Sequence, residues 1–354
     1  MGQTRLRVAV VGVSHWHAPR YLAGLRALGE EIVGVSDPDP AVAGRVAAEL
    51  GVRGDTDGLA LVDRARPDVV VAMATHAAMP AQTAALLLLG PGLILEKPLG
   101  RRAAEVEPLA RIARRSGRFA AVAFINRHAR LWDEFGRLQA AGRLGPVVHA
   151  HFRVVNGPPS RYTRDGVGWM LDPAIAGGGA LRNLGIHSAD ALCRLAGDEP
   201  LAVRGAAVSR RAHAAPVEEF AAAVVGTASG FVGTLEAGYT FASMAAGGDA
   251  EARVMAANAT LIARDGRLLV HTLDDGGEQR YDEAPAGRLY DVFLADSLAR
   301  FRRGAPPLAT IDDCWRAMQL LDAIYAAADG PATGQAGSRS PRAGVPDGGD
   351  EVDS

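Results

Sequence analysis

The sequence predicts an α/β protein: an N-terminal Rossmann domain on a doubly wound parallel sheet, then a C-terminal α/β domain on an open, mainly antiparallel sheet. Three observations predict this. Through the first third, short apolar runs alternate with helical stretches, the rhythm of parallel strands joined by crossover helices. The first apolar run ends in a glycine turn that feeds a helix. After about residue 125 the strand-like runs follow one another closely enough for hairpin connections, which only antiparallel pairs permit.

Residues 6–13 are almost continuously apolar, as a strand buried on both faces requires. Pro19 lies near the start of a helix that reaches Leu28, with Gly29 at its end. Residues 31–36 form a second strand ending at Asp37, and residues 40–50 a helix stopped by Gly51. Strands follow at 68–74, 93–95 and 119–125, with helices at 82–89 and 102–115. Beyond these come a helix at 130–141, a strand at 146–155, a loop rich in Gly, Pro and Arg at 156–168, and helices around 180–195. Strand-like runs at 201–209, 220–226, 231–241, 253–263 and 267–273 build the second sheet, and helices at 289–302 and 312–328 close it. The expected domains are therefore 1–125 and 126–329. Residues 330–354 are rich in Gly and Pro and poor in large aliphatics, and read as a disordered tail.

Composition narrows the function. Hydrophobic residues make up 48% of the 354, and charged residues 22%, which excludes wholesale disorder. The 38 basic and 40 acidic residues leave a net charge of −2, without the cationic surplus that nucleic acid or an anionic membrane demands. The longest apolar stretch, residues 84–95, is broken by Gly90-Pro91-Gly92 and falls short of the roughly 20 residues a membrane span needs. The start of the chain has no signal-peptide layout, so a cytoplasmic protein is expected. Cys193 and Cys314 are far apart and form no metal or disulfide pattern; no metal site is expected, His15-x-His17 and His149-x-His151 lacking further ligands.

One count stands out. Among the 38 basic residues, 37 are arginine and one, Lys97, is lysine. Arginine is a planar fork that stays charged, whereas lysine is a compact ammonium whose pKa moves with its surroundings. A lysine retained against such a bias suits a site that arginine cannot fill, unless it is merely the last one left.

The turn Gly12-Val13-Ser14-His15-Trp16-His17 lies where a dinucleotide-binding G-x-G-x-x-G would lie, but Ser14 and His17 replace its second and third glycines. Alone, it reads equally as a cofactor loop or as a plain strand–helix turn. Asp37, 25 residues after Gly12, stands where a carboxylate takes the adenosine ribose hydroxyls and repels a 2′-phosphate, favouring NAD over NADP; Asp37-Pro38 is also a turn. Lys97 follows the strand 93–95, at the carboxyl edge where open sheets bind ligands. If residues from Ala180 onward are helical, Asn183 and His187 share a face, behind a triple glycine that suits a ligand pocket.

These segments, Glu96-Lys97-Pro98-Leu99 and Gly177-Gly178-Gly179-x-Leu181-x-x-x-Gly185-x-His187-x-x-Asp190, in order behind the glycine turn, resemble the Gfo/Idh/MocA family over about residues 5–330. The resemblance implies an NAD-dependent oxidoreductase acting on a secondary alcohol of a sugar, sugar derivative or cyclitol, and a homodimer or homotetramer. It implies a cofactor held by Gly12, Val13, Ser14, His15, Trp16, Asp37, Thr75, His76, Glu96 and Lys97. His187 would be the catalytic base, with Lys97 on the substrate hydroxyl and Asn183 beside them. Arg127, Arg161, Tyr162 and Trp169 would line the substrate side with Asn183 and His187. Asn183 departs from the aspartate common in the family; an amide orients a hydroxyl but takes no proton. An NAD-using glycoside hydrolase and a non-catalytic NAD- or sugar-binding protein remain as alternatives.

Overall fold

A computed structural model describes residues 4–329 apart from Ala246 and Asp275; the tail expected at 330–354 lies outside these. The N-terminal part runs β1 (Arg7–Val11), α1 (Ala18–Ala27), β2 (Glu31–Ser36), α2 (Pro40–Leu50), β3 (Gly54–Asp55), α3 (Gly58–Ala65), β4 (Val69–Ala72), α4 (Met79–Leu89), β5 (Gly92–Leu95), α5 (Ala103–Ser116) and β6 (Ala120–Val122). Its strands form one parallel sheet in the order β3-β2-β1-β4-β5-β6. The strands β4 and β5 are buried at every residue, which is why they read as unbroken apolar runs. Local chemistry sets the helix ends. Asp39 caps α2 by accepting from the Ala41 amide, and Gly51 ends it in the left-handed conformation.

After a 3₁₀ turn at Ile125–His128 come α6 (Arg130–Ala140), β7 (Val147–Asn156), α7 (Ser160–Arg164) and α8 (Pro173–Ala176). A π-turn over Leu181–Gly185 leads into α9 (Ile186–Ala196). Next are β8 (Ala202–Ser209), β9 (Phe220–Gly226), β10 (Val232–Gly238), β11 (Gly248–Ala256), β12 (Ala259–Arg264), β13 (Arg267–Thr272) and β14 (Glu278–Asp282), followed by α10 (Ala286–Arg302) and α11 (Ile311–Asp329). The second sheet has the order β14-β13-β12-β11-β7-β10-β9-β8, and β7 with β10 is its parallel pair among antiparallel ones. One face packs Ala150, Phe152, Leu235 and Val254 against Ile186 and Leu192 of α9.

The last two helices lock the halves together. Leu289, Phe293, Leu294 and Leu298 of α10 join the core of the first sheet, while Met318 and Leu321 of α11 join the core continuous with the second. Among the described residues, no helix is long and apolar enough to cross a membrane.

The structure corrects four local expectations. The strand expected at 253–263 is two, β11 and β12, folded at Ala257-Asn258; no Gly or Pro marks that turn. The edge strand β14 is polar and exposed, so it carries no apolar pattern. The loop expected at 156–168 contains the short helix α7. The triple glycine does not open a pocket but packs against protein. A Cβ on Gly179 would stand 2.1 Å from the Glu218 carbonyl oxygen, and one on Gly178 2.2 Å from the Tyr325 hydroxyl.

Two glycines should therefore respond oppositely to alanine. Gly179→Ala should destabilise by about 1–3 kcal/mol, because backbone rather than a flexible side chain blocks the new methyl. Gly44→Ala, inside α2 with nothing within 4 Å, should stabilise by roughly 0.5–1 kcal/mol. Urea unfolding at constant m-value measures both, and a neutral Gly179→Ala would contradict the packing.

Candidate active site

The site forms where the carboxyl ends of β1, β2, β4 and β5 meet the segment 156–187. After β1, Gly12 turns with φ +84°, and a Cβ there would lie 1.9 Å from the Met73 carbonyl oxygen. Only glycine lets this loop press against the end of β4, at the point where strand order reverses and nucleotides bind. Asp37 is buried at the end of β2; its carboxylate accepts from the Ser14 amide at 2.6 Å and the Asp39 amide at 3.1 Å. Asp37 therefore ties the glycine loop to the second strand as well as closing the Asp-Pro turn.

The next side chains form a dense cluster. His15 Nδ1 accepts from the His17 amide at 3.2 Å, and His15 faces Trp169 with ring centroids 6.5 Å apart. Trp16 stacks on His17 at 4.7 Å and meets Tyr162 at 5.5 Å. The carbonyl of Thr75 receives the first amides of α4, from Ala78 and Met79. His76 donates from Nδ1 to the Ala176 carbonyl at 2.8 Å and stands edge-on to Trp169 at 5.0 Å. Burial pushes the pKa of both His15 and His76 down to about 3, so both are neutral at pH 7.

Glu96 is the buried negative charge. One carboxylate oxygen accepts from Tyr21 at 2.7 Å and lies 3.1 Å from His17 Nδ1; the other accepts from the Lys97 amide at 3.2 Å. Burial opposes its ionisation, but His17, His15 and Lys97 outweigh that and hold its pKa below the usual carboxylate range. The Tyr290 hydroxyl, from α10, completes the group 2.9 Å from His17 Nδ1. His17, placed where a dinucleotide loop has its third glycine, thus partners Glu96.

Lys97 points the other way. Its Nζ donates to the Asn183 backbone oxygen at 2.8 Å and to Asn183 Oδ1 at 3.2 Å. Burial lowers its pKa, and Glu96 opposes the fall. Asn183 Nδ2 donates to Tyr162 and Tyr239, each at 3.0 Å. The Asn183 amide thus donates from its nitrogen to two hydroxyls while its oxygen accepts from Lys97. His187 follows in α9, edge-on to Phe124 at 6.0 Å; its Nδ1 is buried without a hydrogen-bond partner. Burial first, then Lys97, pushes its pKa well below 6.5.

Glu218 holds this turn in place. Its carboxylate accepts from the amides of Gly179 at 2.8 Å and Leu181 at 3.0 Å, and from the Tyr325 hydroxyl at 2.7 Å. A carboxylate at the helix start satisfies amides that lack intrahelical partners.

Two predicted substrate-side residues lie apart from the cluster. The Arg127 guanidinium is held bidentately by Asp190 at 2.6 and 2.9 Å and also pairs with Asp313 at 3.0 Å. Arg161 in α7 reaches the Gly247 carbonyl at 3.4 Å. Tyr21, Tyr239, Tyr290 and Glu218 do not appear in the sequence-derived set. A usable signal existed: the chain has six tyrosines, and Tyr21, Tyr162, Tyr239 and Tyr290 gather here. Among the described residues, no three His, Cys, Asp or Glu side chains group as metal ligands; both cysteines are free.

The signature described as an oxidoreductase-family, NAD-binding Rossmann fold matches residues 6–124, and that of the GFO/IDH/MocA C-terminal domain matches residues 132–262. The chain belongs to the Gfo/Idh/MocA oxidoreductases. It is 25% identical over 336 residues to 1,5-anhydro-D-fructose reductase of Ensifer adhaerens, covering 92% of this chain and 97% of that protein. Its fold is that of levoglucosan dehydrogenase in complex with NADH and levoglucosan (TM-score 0.79, 17% identity, 92% and 97% of the two chains). It is also that of myo-inositol 2-dehydrogenase from Lactobacillus plantarum (TM-score 0.76, 21% identity, 92% and 97%). The protein is thus an oxidoreductase with an NAD-binding Rossmann domain. The residues present fit that cofactor in type and place: Gly12 makes the tight turn at the switch point with φ +84°, and the Asp37 carboxylate ends β2.

Asp37 should therefore govern cofactor choice. Wild-type protein should bind NAD more tightly than NADP, and Asp37→Ser should narrow the gap by removing repulsion toward a 2′-phosphate. Calorimetric titration with both cofactors checks this; equal or tighter NADP binding by the wild type would overturn it.

Proposed function

We propose that this Gfo/Idh/MocA protein transfers hydride between a secondary alcohol of a sugar, sugar derivative or cyclitol and nicotinamide, with His187 as general base and Lys97 on the reacting oxygen. The observation that carries the reading is the chain's single lysine, buried at the end of β5 and hydrogen-bonded to the turn that precedes His187. The loop 12–16, Asp37, Thr75, His76 and Glu96 would hold NAD, which supplies the hydride acceptor when bound.

The division of labour follows from protonation. His187 has its pKa pushed well below 6.5, so it is neutral near pH 7 and free to take the hydroxyl proton. Lys97 has three N–H donors; Asn183 takes two, which leaves one for the substrate oxygen as alkoxide charge develops. Burial lowers the pKa of that ammonium, and the negative charge of Glu96 opposes the fall. Lys97 and Asn183 are buried, and the lower polarity around them strengthens each interaction.

Four outcomes test this. His187→Ala should lower kcat by about 10²–10⁴-fold with cofactor binding retained. Lys97→Arg should be nearly as damaging as Lys97→Ala, because the planar fork cannot occupy the position of a compact ammonium. The acid limb of kcat/KM should lie below pH 6.5 in the wild type, since a depressed pKa keeps the base neutral to lower pH. Asn183→Asp should move that limb upward, because a nearby negative charge favours imidazolium. Turnover untouched by His187→Ala, or a limb at or above pH 6.5, would exclude His187 as the base. Net NADH formation without release of an aglycone distinguishes this reaction from NAD-assisted glycoside hydrolysis.

A further inference from the structure

His187 borders a second space. A cavity of about 430 Å³ lies between α6, α9, β7, β11 and the start of α10, a volume within the ~300–1,000 Å³ of small-molecule sites. His187 lines it, whereas Lys97, Asn183, Tyr162 and Trp169 do not. Its walls are mostly apolar: Leu131, Trp132, Phe152, Val154 and Leu289 form much of the surface, with Trp132 stacked on Phe152 at 6.3 Å.

The charged groups at its edge are already matched. Arg153 pairs with Glu236 and with Asp249 at 2.7 Å, Arg264 pairs with Glu251 at 3.1 Å, and Glu283 accepts from the Arg130 and Leu131 amides. A diphosphate or carboxylate would have to break one of these contacts to find a cation. A neutral apolar group would not. His187 is thus shared between this apolar cavity and the turn that carries Asn183.

We infer that the substrate is a glycoside or sugar ether with a neutral apolar aglycone, whose carbohydrate hydroxyl lies at Lys97 and His187 and whose aglycone fills this cavity. The inference rests on the dehydrogenase reading above and adds the substrate class. The glycosidic bond is a recognition element and stays intact.

The test uses the full chain with NAD and a panel of glucose, galactose and mannose, each supplied free, as the methyl glycoside, as the phenyl glycoside and as the UDP-linked sugar. For the sugar that is accepted, phenyl glycosides should exceed methyl glycosides in kcat/KM by about tenfold or more, the order expected when a phenyl-sized group leaves water. Phenol should inhibit phenyl-glycoside turnover competitively. Ala252→Leu, which narrows the cavity from β11, should cut the phenyl-to-methyl ratio to about twofold. Equal rates for phenyl and methyl glycosides, or a preference for UDP-linked sugars, would overturn the inference and leave the dehydrogenase reading intact. If none of these sugars is oxidised, these three hexoses are excluded as the carbohydrate part. Calorimetric binding of phenol and the phenyl glycosides then decides the cavity: affinity lost in Ala252→Leu supports it, and no binding to the wild type refutes it. If that variant does not fold, the wild-type ratio and the phenol competition decide it.

Discussion

The site depends on one contact, the Lys97 ammonium against the backbone and side-chain oxygens of Asn183. A buried ammonium without acceptors is costly, so the end of β5 and the turn before α9 are held at hydrogen-bond distance. That contact orients the amide of Asn183, and the amide nitrogen then fixes the hydroxyls of Tyr162 and Tyr239. Four side chains from four parts of the chain take their positions from it. Glu218 keeps the turn from yielding by tying its first amides.

Burial lowers the Lys97 pKa, and Glu96 on its other side opposes that. Glu96 next to it would itself resist ionisation when buried, and Tyr21 and His17 make its carboxylate tolerable. This gives a physical account of the irregular glycine loop. A third glycine would allow closer packing of helix on strand, but it would leave Glu96 without the His17 imidazole. The bulk of His17 is accommodated because its ring projects between Glu96 and Tyr290.

Arg127 shows how a residue near a pocket can serve the fold. Its guanidinium is surrounded by Asp190, Asp313 and the Leu308 carbonyl, so it staples the 3₁₀ turn after β6 to α9 and α11. Asp190 closes the family-like segment that contains His187, and its partner is this arginine rather than the histidine. The turn that leaves the first sheet is thereby tied to two helices of the second half.

The sequence by itself determined the parallel sheet, its crossover helices and the antiparallel character of the second sheet, because period and burial leave a local imprint on residue choice. It also marked Lys97, Asn183 and His187, since an outlying lysine and a spaced Asn/His pair are visible without a fold. It did not reveal the hairpin at Ala257-Asn258 or the polar edge strand β14, which carry neither a breaker nor an apolar stripe. Tyr290 meets His17 across 273 positions, and Tyr239 meets Asn183 across 56; no local spacing encodes such contacts. The triple glycine is a further case: its sequence suits a ligand pocket, yet Glu218 and Tyr325 occupy the space. Only tertiary packing decided these, because a glycine records that something lies close, and the chain's path alone says whether that neighbour is ligand or protein.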